Sequence, residues 1–576
     1  MRDGRKSGGI FARFAKGFRS ATAGESARRG SKVETSAVGS SRVASSAVES
    51  EPAAPAAAAP QASAAELINE GLRQRQQLGT AAAVPFFERA ALAGPDSHLP
   101  FFMLGNAAAE LGNLDAAVVH YTRARDLAPN DHVIRYNLGL NHFWRGFMDP
   151  AIEELEAAYR INPAYLPARG SYLLALHNSD RVAPEAIAAA IRQMGTQFPG
   201  PAAAVAPAAE QQSFPERKLR VGFVSGDLRT HSVAHFFEPI LSARDRSAFE
   251  YVCYSTSSQR DAVTERLRSD ADAWRDVWQL TDDALIGQIR ADRIDILVDL
   301  SGYTEFNRLP LFARRAAPVQ ITYLGFPNST GVPAMDYRIT DALTDPSPLA
   351  DELHSEKLLR LPDSQWCFRP FGAPLEIAAL PARHNGFVTF GSFNNLAKAS
   401  DTLIHCWTRI LADTPNSRLR ITRVRSPQRA AQILALFVRS GIAAERIECT
   451  AYRSDVPYGL QFAGVDIALD HFPYNGVTTT CESLYFGVPV VSMYGTHGVS
   501  RSGLSILASI GLKGLAAASP DEYVRIAVSL AGDRERLERL RSDLRARLEQ
   551  SPLRDERRFA ANFEEQLRRA WRRNLG

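Results

Sequence analysis

Residues 475–495 read NGVTTTCESLYFGVPVVSMYG, and this order of residue types decides how the second half of the chain folds. Asn475-Gly476 is a turn pair. Thr478, Thr479 and Thr480 then open a helix whose first amides have no intrahelical acceptor. Gly487-Val488-Pro489 ends that helix, and VVSMY follows as a strand. The DIALD strand at 466–470 stands just before the turn, so the segment is a strand–helix–strand unit of a parallel sheet. Free amides, hydroxyls and the positive end of a helix dipole together make a phosphate site that needs no metal. Glu482 lies about one turn in, where an acidic residue can accept from a ribose diol. Simple N-capping is the plainer reading, but three threonines exceed what one cap uses.

Working outward, this unit closes a longer series that starts at Phe387: FVTFGSF, SRLRIT, RIECTAY, DIALD and VPVVSMY, with helices predicted near 401–412, 428–440, 478–486 and 500–510. An earlier series has strands at Leu219–Val224, Phe249–Tyr254, Ile294–Val298 and Val319–Tyr323. Two doubly wound domains in tandem leave a crevice at the carboxyl ends of their strands, where ligands bind. Two further stretches face it. In FGSFNNLAK (390–398), Lys398 is a point charge able to neutralise a diphosphate, and Asn394 or Asn395 can bond the same oxygens. In SGDLRTHSVAHFFEP (225–239), His231 and His235 are four apart and would share a helical face once a helix has begun. Ser232 stands where a zinc-protease motif needs Glu, so His231 reads as a general base or acceptor-side hydrogen bonder, with His235 beside it. Asp270 and Asp272, a D-x-D, read as solvated surface of a helix.

The first half is organised differently. Pro95, Pro129 and Pro163 are 34 residues apart, as are Phe87 and Tyr121, Ala83, Ala117 and Ala151, and Leu104-Gly105 and Leu138-Gly139. That is the tetratricopeptide period, and such stacked helix pairs bind protein segments. Helical sequence from Gly170 to Met194 loses the phase and reads as a cap. The expected layout is a disordered basic tail over 1–62, repeats with capping helices over 63–197 and a linker over 198–217. Two Rossmann-like domains follow, over 218–383 and 384–576, the second carrying the C-terminal amphipathic helices. With 576 residues, 45% hydrophobic, 23% charged and a mean hydropathy of −0.19, the chain has no apolar run long enough to span a membrane. The first fifty residues hold ten Lys/Arg against four Asp/Glu, so a net charge of +4 leaves the remainder near neutral, without a stripe for nucleic acid. Five scattered cysteines with no C-x-x-C pair suit a reducing, cytoplasmic setting.

These residues carry a resemblance. LRVGFVSGDLRTHSVAHF, DILVDLSGYT (295–304), APVQITYLGFPNSTG (317–331), MDYRITD (335–341), FGSFNNLAK and PYNGVTTTCESLYFGVPVV resemble the protein O-GlcNAc transferase family, most closely its SPINDLY branch. The resemblance implies an α + α/β architecture: a tetratricopeptide solenoid followed by a GT-B region of two Rossmann-like domains. It also implies an inverting, metal-independent enzyme with no cofactor, which moves a sugar from a nucleotide sugar to Ser or Thr of proteins held by the repeats. On that basis Lys398 stabilises the leaving diphosphate, with Asn395, Asn475, Gly476, Thr478, Thr479, Thr480 and Glu482 around the donor. His231 is base or acceptor-side residue, and Asp299 competes with it for the proton. Gly325 and Pro327 lie against the sugar, and Tyr458 stacks on the base. The chain has Val477 and Glu482 where animal relatives have His and Asp, as SPINDLY-like proteins do. The plant SPINDLY protein uses GDP-fucose, whereas bacterial relatives are commonly assigned UDP-GlcNAc, so UDP-GlcNAc ranks first and GDP-fucose second. The family's asparagine ladder is not repeated here, because Asn137 and Asn141 fall opposite Met103 and Ala107. A catalytically silent scaffold and a small-molecule glycosyltransferase are the rival readings. Intact Lys398, His231 and the threonines argue against the first, and the repeats against the second.

Overall fold

The computed structural model describes residues 62–200, 216–372, 375–451 and 458–575. The basic tail and nearly all of the linker lie outside them. Eight helices come first: α1 (Ala64–Leu78), α2 (Thr80–Ala93), α3 (His98–Glu110), α4 (Leu114–Leu127), α5 (His132–Arg145), α6 (Met148–Ile161), α7 (Leu166–His177) and α8 (Pro184–Gly195). The 34-residue period is written in their packing. A Cβ on Gly71 would sit 2.5 Å from the Phe87 ring, one on Gly105 2.6 Å from Tyr121, and one on Gly139 2.8 Å from Leu155. Each glycine lets the following helix close on it, and Ala83, Ala117 and Ala151 are fully buried for the same reason.

The chain forms two compact units, one ending at Ile134 and the other running from Arg135 to Gly576. The division falls inside α5, so the last helix pairs belong with the sheets. Helices α7 and α8 do not cap a free stack. Leu173, Leu176, Ile187, Ile191 and Met194 share one core with Val224, Val252, Leu297 and Phe312 of the first α/β domain. Close backbone approach makes this fit: a Cβ on Gly195 would fall 2.1 Å from the Gly331 carbonyl, and one on Gly170 2.4 Å from that of Tyr303.

Two parallel sheets follow. The first contains β1 (Leu219–Ser225), β2 (Phe249–Ser255), β3 (Ala273–Asp276), β4 (Ile296–Asp299), β5 (Val319–Thr322), β6 (Tyr337–Asp341) and β7 (Lys357–Leu361), in the order 3-2-1-4-5-6-7. The second contains β8 (Val388–Ser392), β9 (Ser417–Ile421), β10 (Ile447–Cys449), β11 (Ile467–Leu469), β12 (Val490–Met493) and β13 (Ala516–Ala517), in the order 10-9-8-11-12-13. Both orders reverse beside the first strand, next to β4 and next to β11, which is where a doubly wound sheet opens its ligand crevice. The expected helical array followed by two Rossmann-like domains is therefore the architecture found.

Two details differ from the sequence reading. The helix Glu556–Leu575, grouped there with the second sheet, lays Phe563 against Tyr323 (centroids 5.5 Å apart) and Glu564 against the Tyr251 hydroxyl, so it closes the first sheet. Asp272 lies beyond the end of the helix Ala262–Asp270 and is engaged rather than solvated. It pairs with Arg244 at 2.8 Å and accepts from the Tyr251 N–H at 2.8 Å.

Candidate functional site

The loops after β8 and β11 meet at the switch point of the second sheet, bridged where Ala399 pairs with Pro473 and the Ser400 N–H reaches the Phe472 carbonyl at 3.2 Å. Buried Asp470, just past β11, organises the meeting. Its carboxylate accepts from the Gly476 N–H (2.8 Å), the His471 N–H (2.8 Å), the Ser492 hydroxyl (2.7 Å) and Asn394 Nδ2 (3.2 Å). Burial raises its pKa to about 6 against these donors and the nearby charge of Lys398. Asn394 in turn accepts from the Thr479 hydroxyl at 2.8 Å, tying the two loops together. Gly476 has to be glycine, because a Cβ there would stand 2.2 Å from Thr479 Oγ1 and 2.6 Å from Asn394 Nδ2.

The helix Thr478–Tyr485 begins without a side-chain cap. Among the described residues its first three amides, of Thr478, Thr479 and Thr480, have no acceptor. The three threonines divide their tasks. The Thr478 hydroxyl is unengaged, that of Thr479 is bound to Asn394, and that of Thr480 turns back to the Gly476 carbonyl at 2.8 Å and is buried. Thr480 is thus a helix-start brace and not a ligand hydroxyl, which corrects the expectation drawn from the triplet. Glu482 is buried in the same helix. Asn475 is likewise turned inward, donating to the His471 and Met493 carbonyls and accepting from the Gly503 N–H, so it shapes the loop. Asn395 caps the 3-10 turn Leu396–Lys398 by accepting from the Ala397 N–H, which leaves Asn394 as the asparagine of the network.

That turn delivers Lys398. Its ammonium lies 3.8 Å from the centre of the Tyr474 ring and makes no hydrogen bond or ion pair with any described residue. Burial lowers its pKa to about 8, with Asp470 opposing and Arg423 reinforcing the shift. A cation without a carboxylate partner, beside a helix start with free amides, is arranged to receive an anion. Asp470 and Tyr474 were not picked out in the sequence. The signal for them was position, the strand end before the Asn-Gly turn and the residue inside it. Tyr458 opens a 3-10 turn, but its side chain and residues 452–457 lie outside the described part of the chain.

On the first sheet, His231 is the N-cap of the helix Ser232–Ala243 and not part of it, so it shares no helical face with His235. Its Nδ1 accepts from the Val233 N–H at 3.3 Å and stands 3.7 Å from Asp227, and its side chain is 37% exposed. Burial lowers its pKa, the Asp227 charge opposing. His235 is a packing residue, which corrects its acceptor-side assignment. Its ring stacks on Phe371 (3.6 Å, 19°), its Nδ1 meets the Arg369 carbonyl at 2.8 Å, and burial lowers its pKa to about 4. Asp299 is 1% exposed, and its carboxylate accepts from the Ser301 N–H (3.1 Å), the Gly302 N–H (2.9 Å) and the Thr322 hydroxyl (2.9 Å), so it braces the turn after β4; burial raises its pKa to about 6 against these donors. Gly325 and Pro327 sit in the loop after β5, seated so deeply that a Cβ on Gly325 would fall 2.0 Å from the Leu300 carbonyl. Arg338 of β6 holds the same loop through the Phe326 and Asn328 carbonyls, both at 3.1 Å.

Residues 204–368 and 379–563 match the model of glycosyl transferase family 41. The chain belongs to glycosyl transferase family 41. Within it the chain falls with the SPINDLY-like branch of the O-GlcNAc transferases. It is 41% identical over 371 residues to the "Probable UDP-N-acetylglucosamine--peptide N-acetylglucosaminyltransferase SPINDLY" of Petunia hybrida, covering 62% of this chain and 39% of that protein. It is 30% identical to the corresponding SEC protein of Arabidopsis thaliana, over 62% of this chain and 37% of that one. The chain thus spans about two fifths of the length of these curated relatives. A solved mutant form of the Thermobaculum terrenum O-GlcNAc transferase superimposes with a TM-score of 0.78 at 35% identity, covering 89% of this chain and 98% of that one. The family 41 match covers the two-sheet GT-B region, and the likeness to the solved transferase extends over 89% of the chain. Among the described residues no helix is long and apolar enough to cross a membrane.

Proposed function

We propose that the chain is a protein O-glycosyltransferase that moves a sugar from a nucleotide sugar to a Ser or Thr hydroxyl, with inversion and without a metal. The observation that carries this reading is the unpaired Lys398 ammonium beside the free amides of the helix starting at Thr478. As the acceptor oxygen bonds to the anomeric carbon, the bond from that carbon to the diphosphate breaks. The charge that leaves with the nucleoside diphosphate is met by Lys398, the Thr478 hydroxyl and the first-turn amides. Asn394, Asp470 and Gly476 hold those groups in register. On the acceptor side, His231 is the titratable group the packing leaves accessible, since Asp299 and His235 are occupied. The loop Gly325–Pro327 lies against the sugar, and protein acceptors are delivered by the helical repeats.

UDP-GlcNAc is the donor we assign first, supported by the names the family relatives carry. GDP-fucose is the second reading, favoured by the higher identity to SPINDLY than to SEC and by Glu482 in TTTCE. Isothermal titration with UDP, UDP-GlcNAc, GDP and GDP-fucose separates them. We expect UDP to bind at least tenfold tighter than GDP, because a base whose edge meets the wrong loop leaves polar groups unpaired at about 1–3 kcal/mol each. Preference for GDP, with protein labelled from GDP-fucose and not from UDP-GlcNAc, overturns the first assignment.

A further inference from the structure

His177 ends α7, in the helical array, yet its ring is fully buried against the loop after β5. Its Nδ1 is 2.7 Å from the Leu173 carbonyl, which can only accept, so Nδ1 carries the hydrogen. The other nitrogen, Nε2, is therefore an acceptor, and Asn328 Nδ2 donates to it at 2.7 Å. The amide of Asn328 is fixed from its other end as well, because its Oδ1 accepts from the Ser329 N–H at 2.7 Å. Burial lowers the His177 pKa to about 3, so the ring keeps this acceptor at any working pH. The same ring meets Phe326 edge-on at 5.3 Å. His177 thus touches the residues on both sides of Pro327.

The other holds on this loop come from its own domain: Arg338 on the Phe326 and Asn328 carbonyls, Tyr303 on the Thr330 carbonyl at 2.7 Å, and Glu356 on the Ser329 hydroxyl at 2.6 Å. Among the described residues, His177 is the polar hold supplied by the helices that follow the repeats. A cavity of about 10 Å³, room for a single water, is all that remains between α8, Asn328 and His497 of the second domain. An apolar residue would pack against Phe326 equally well, whereas a buried imidazole is costly unless its acceptor is used. Its use here is to orient Asn328.

We propose that His177 is a positioning residue contributed by the helical array, which holds Asn328 and so sets the shape of the Phe326-Pro327 turn that the donor sugar meets. The proposal rests on the reading above that this loop faces the sugar.

The test uses the full chain with His177→Phe, which keeps the aromatic packing and loses the acceptor, and His177→Gln, whose carbonyl can still accept from Asn328. Titration with UDP, UDP-GlcNAc, GDP and GDP-fucose should show the nucleotide sugar bound about tenfold more weakly by His177→Phe, the weight of one buried hydrogen bond. The matching nucleoside diphosphate should stay within about twofold, since its site is on the second sheet. His177→Gln should recover most of the loss. Hydrogen–deuterium exchange of residues 324–331 should be faster in His177→Phe alone. Wild-type affinity for the sugar nucleotide, or an equal loss for the diphosphate, overturns the proposal. If His177→Phe does not fold, Asn328→Ala removes the bond from the loop side and must give the same selective loss. A wild-type chain that binds none of the four nucleotides refutes the donor-site reading instead. Loop exchange then decides His177 by itself, and an unchanged rate overturns its positioning role.

Discussion

Replacing Lys398 by Met removes the charge that lies over Tyr474 and keeps an apolar side chain of similar length, so it isolates the electrostatic part of the site. Losing one preorganised cation at a leaving diphosphate should cost about 3–4 kcal/mol in the transition state, several hundredfold in kcat. The structure adds a second, opposite effect. Burial brings the lysine from its ordinary 10.5 to about 8, so holding it charged costs about 3 kcal/mol at 1.36 kcal/mol per pKa unit. Its partial exposure screens this to about 1–2 kcal/mol. A lysine whose folded pKa is depressed destabilises the fold fully below about pH 8, and the penalty disappears as pH rises toward 10.5. The variant should therefore be inactive and yet more heat-stable than wild type at pH 7, with the gap closing by pH 10. In the wild type, kcat/KM should fall about tenfold per pH unit above pH 8, and this limb should be missing from the variant's residual rate. Turnover and thermal midpoints measured at pH 7 and pH 10 check both effects. Turnover within threefold of wild type removes Lys398 from the chemistry, and a variant less stable at pH 7 refutes the electrostatic account of its burial.

Gly476→Ala should leave the fold cooperative but weaken nucleoside diphosphate binding at least tenfold, because its Cβ displaces the Thr479–Asn394 bond; titration at wild-type affinity contradicts this. Transfer should survive EDTA, since in the mechanism proposed above amides, a hydroxyl and Lys398 take the place of a metal; activity lost to EDTA and restored by manganese rejects that mechanism. Deleting residues 1–134 should leave nucleotide affinity within about twofold, because Arg135–Gly576 is a compact unit with its own core. Extending the deletion to 197 strips Leu173, Leu176, Ile187, Ile191 and Met194 from the core they share with the first sheet, and that product should be insoluble. Soluble, nucleotide-competent protein from the longer deletion shows that α7 and α8 are dispensable.

The sequence by itself determined what repeats or alternates along the chain. The 34-residue spacing specified the helical array, because each small residue must meet the same large one a fixed distance later, as Gly105 meets Tyr121. Runs of Val, Ile and Leu between turn residues announced most strands. Strands β3, β6, β7 and β13 were missed; in β13, Ala516–Ala517 has no hydrophobic alternation to read and pairs through β12. The uncapped helix start was legible as well, since the free amides and the Asn-Gly turn are properties of a single strand-to-helix unit.

Tertiary structure decided which polar groups are left over. His231 and His235 look equivalent on paper. His235 is consumed by Arg369 and Phe371, more than a hundred residues away, while the His231 side chain stays 37% exposed. Asp299 looks exposed on paper, but Thr322 of the neighbouring strand and the turn after β4 enclose its carboxylate, leaving it 1% exposed. The Thr480 hydroxyl is spent on the Gly476 carbonyl and Asn395 Oδ1 on the Ala397 N–H, while Asn394 and Asp470 tie the two loops together. His177 belongs by sequence to the helical stretch that follows the repeats and by contact to the loop after β5. Local spacing fixes which groups exist on each element. Whether a buried donor or acceptor is free depends on partners brought from distant parts of the chain, and those partners are set by the packing of whole elements.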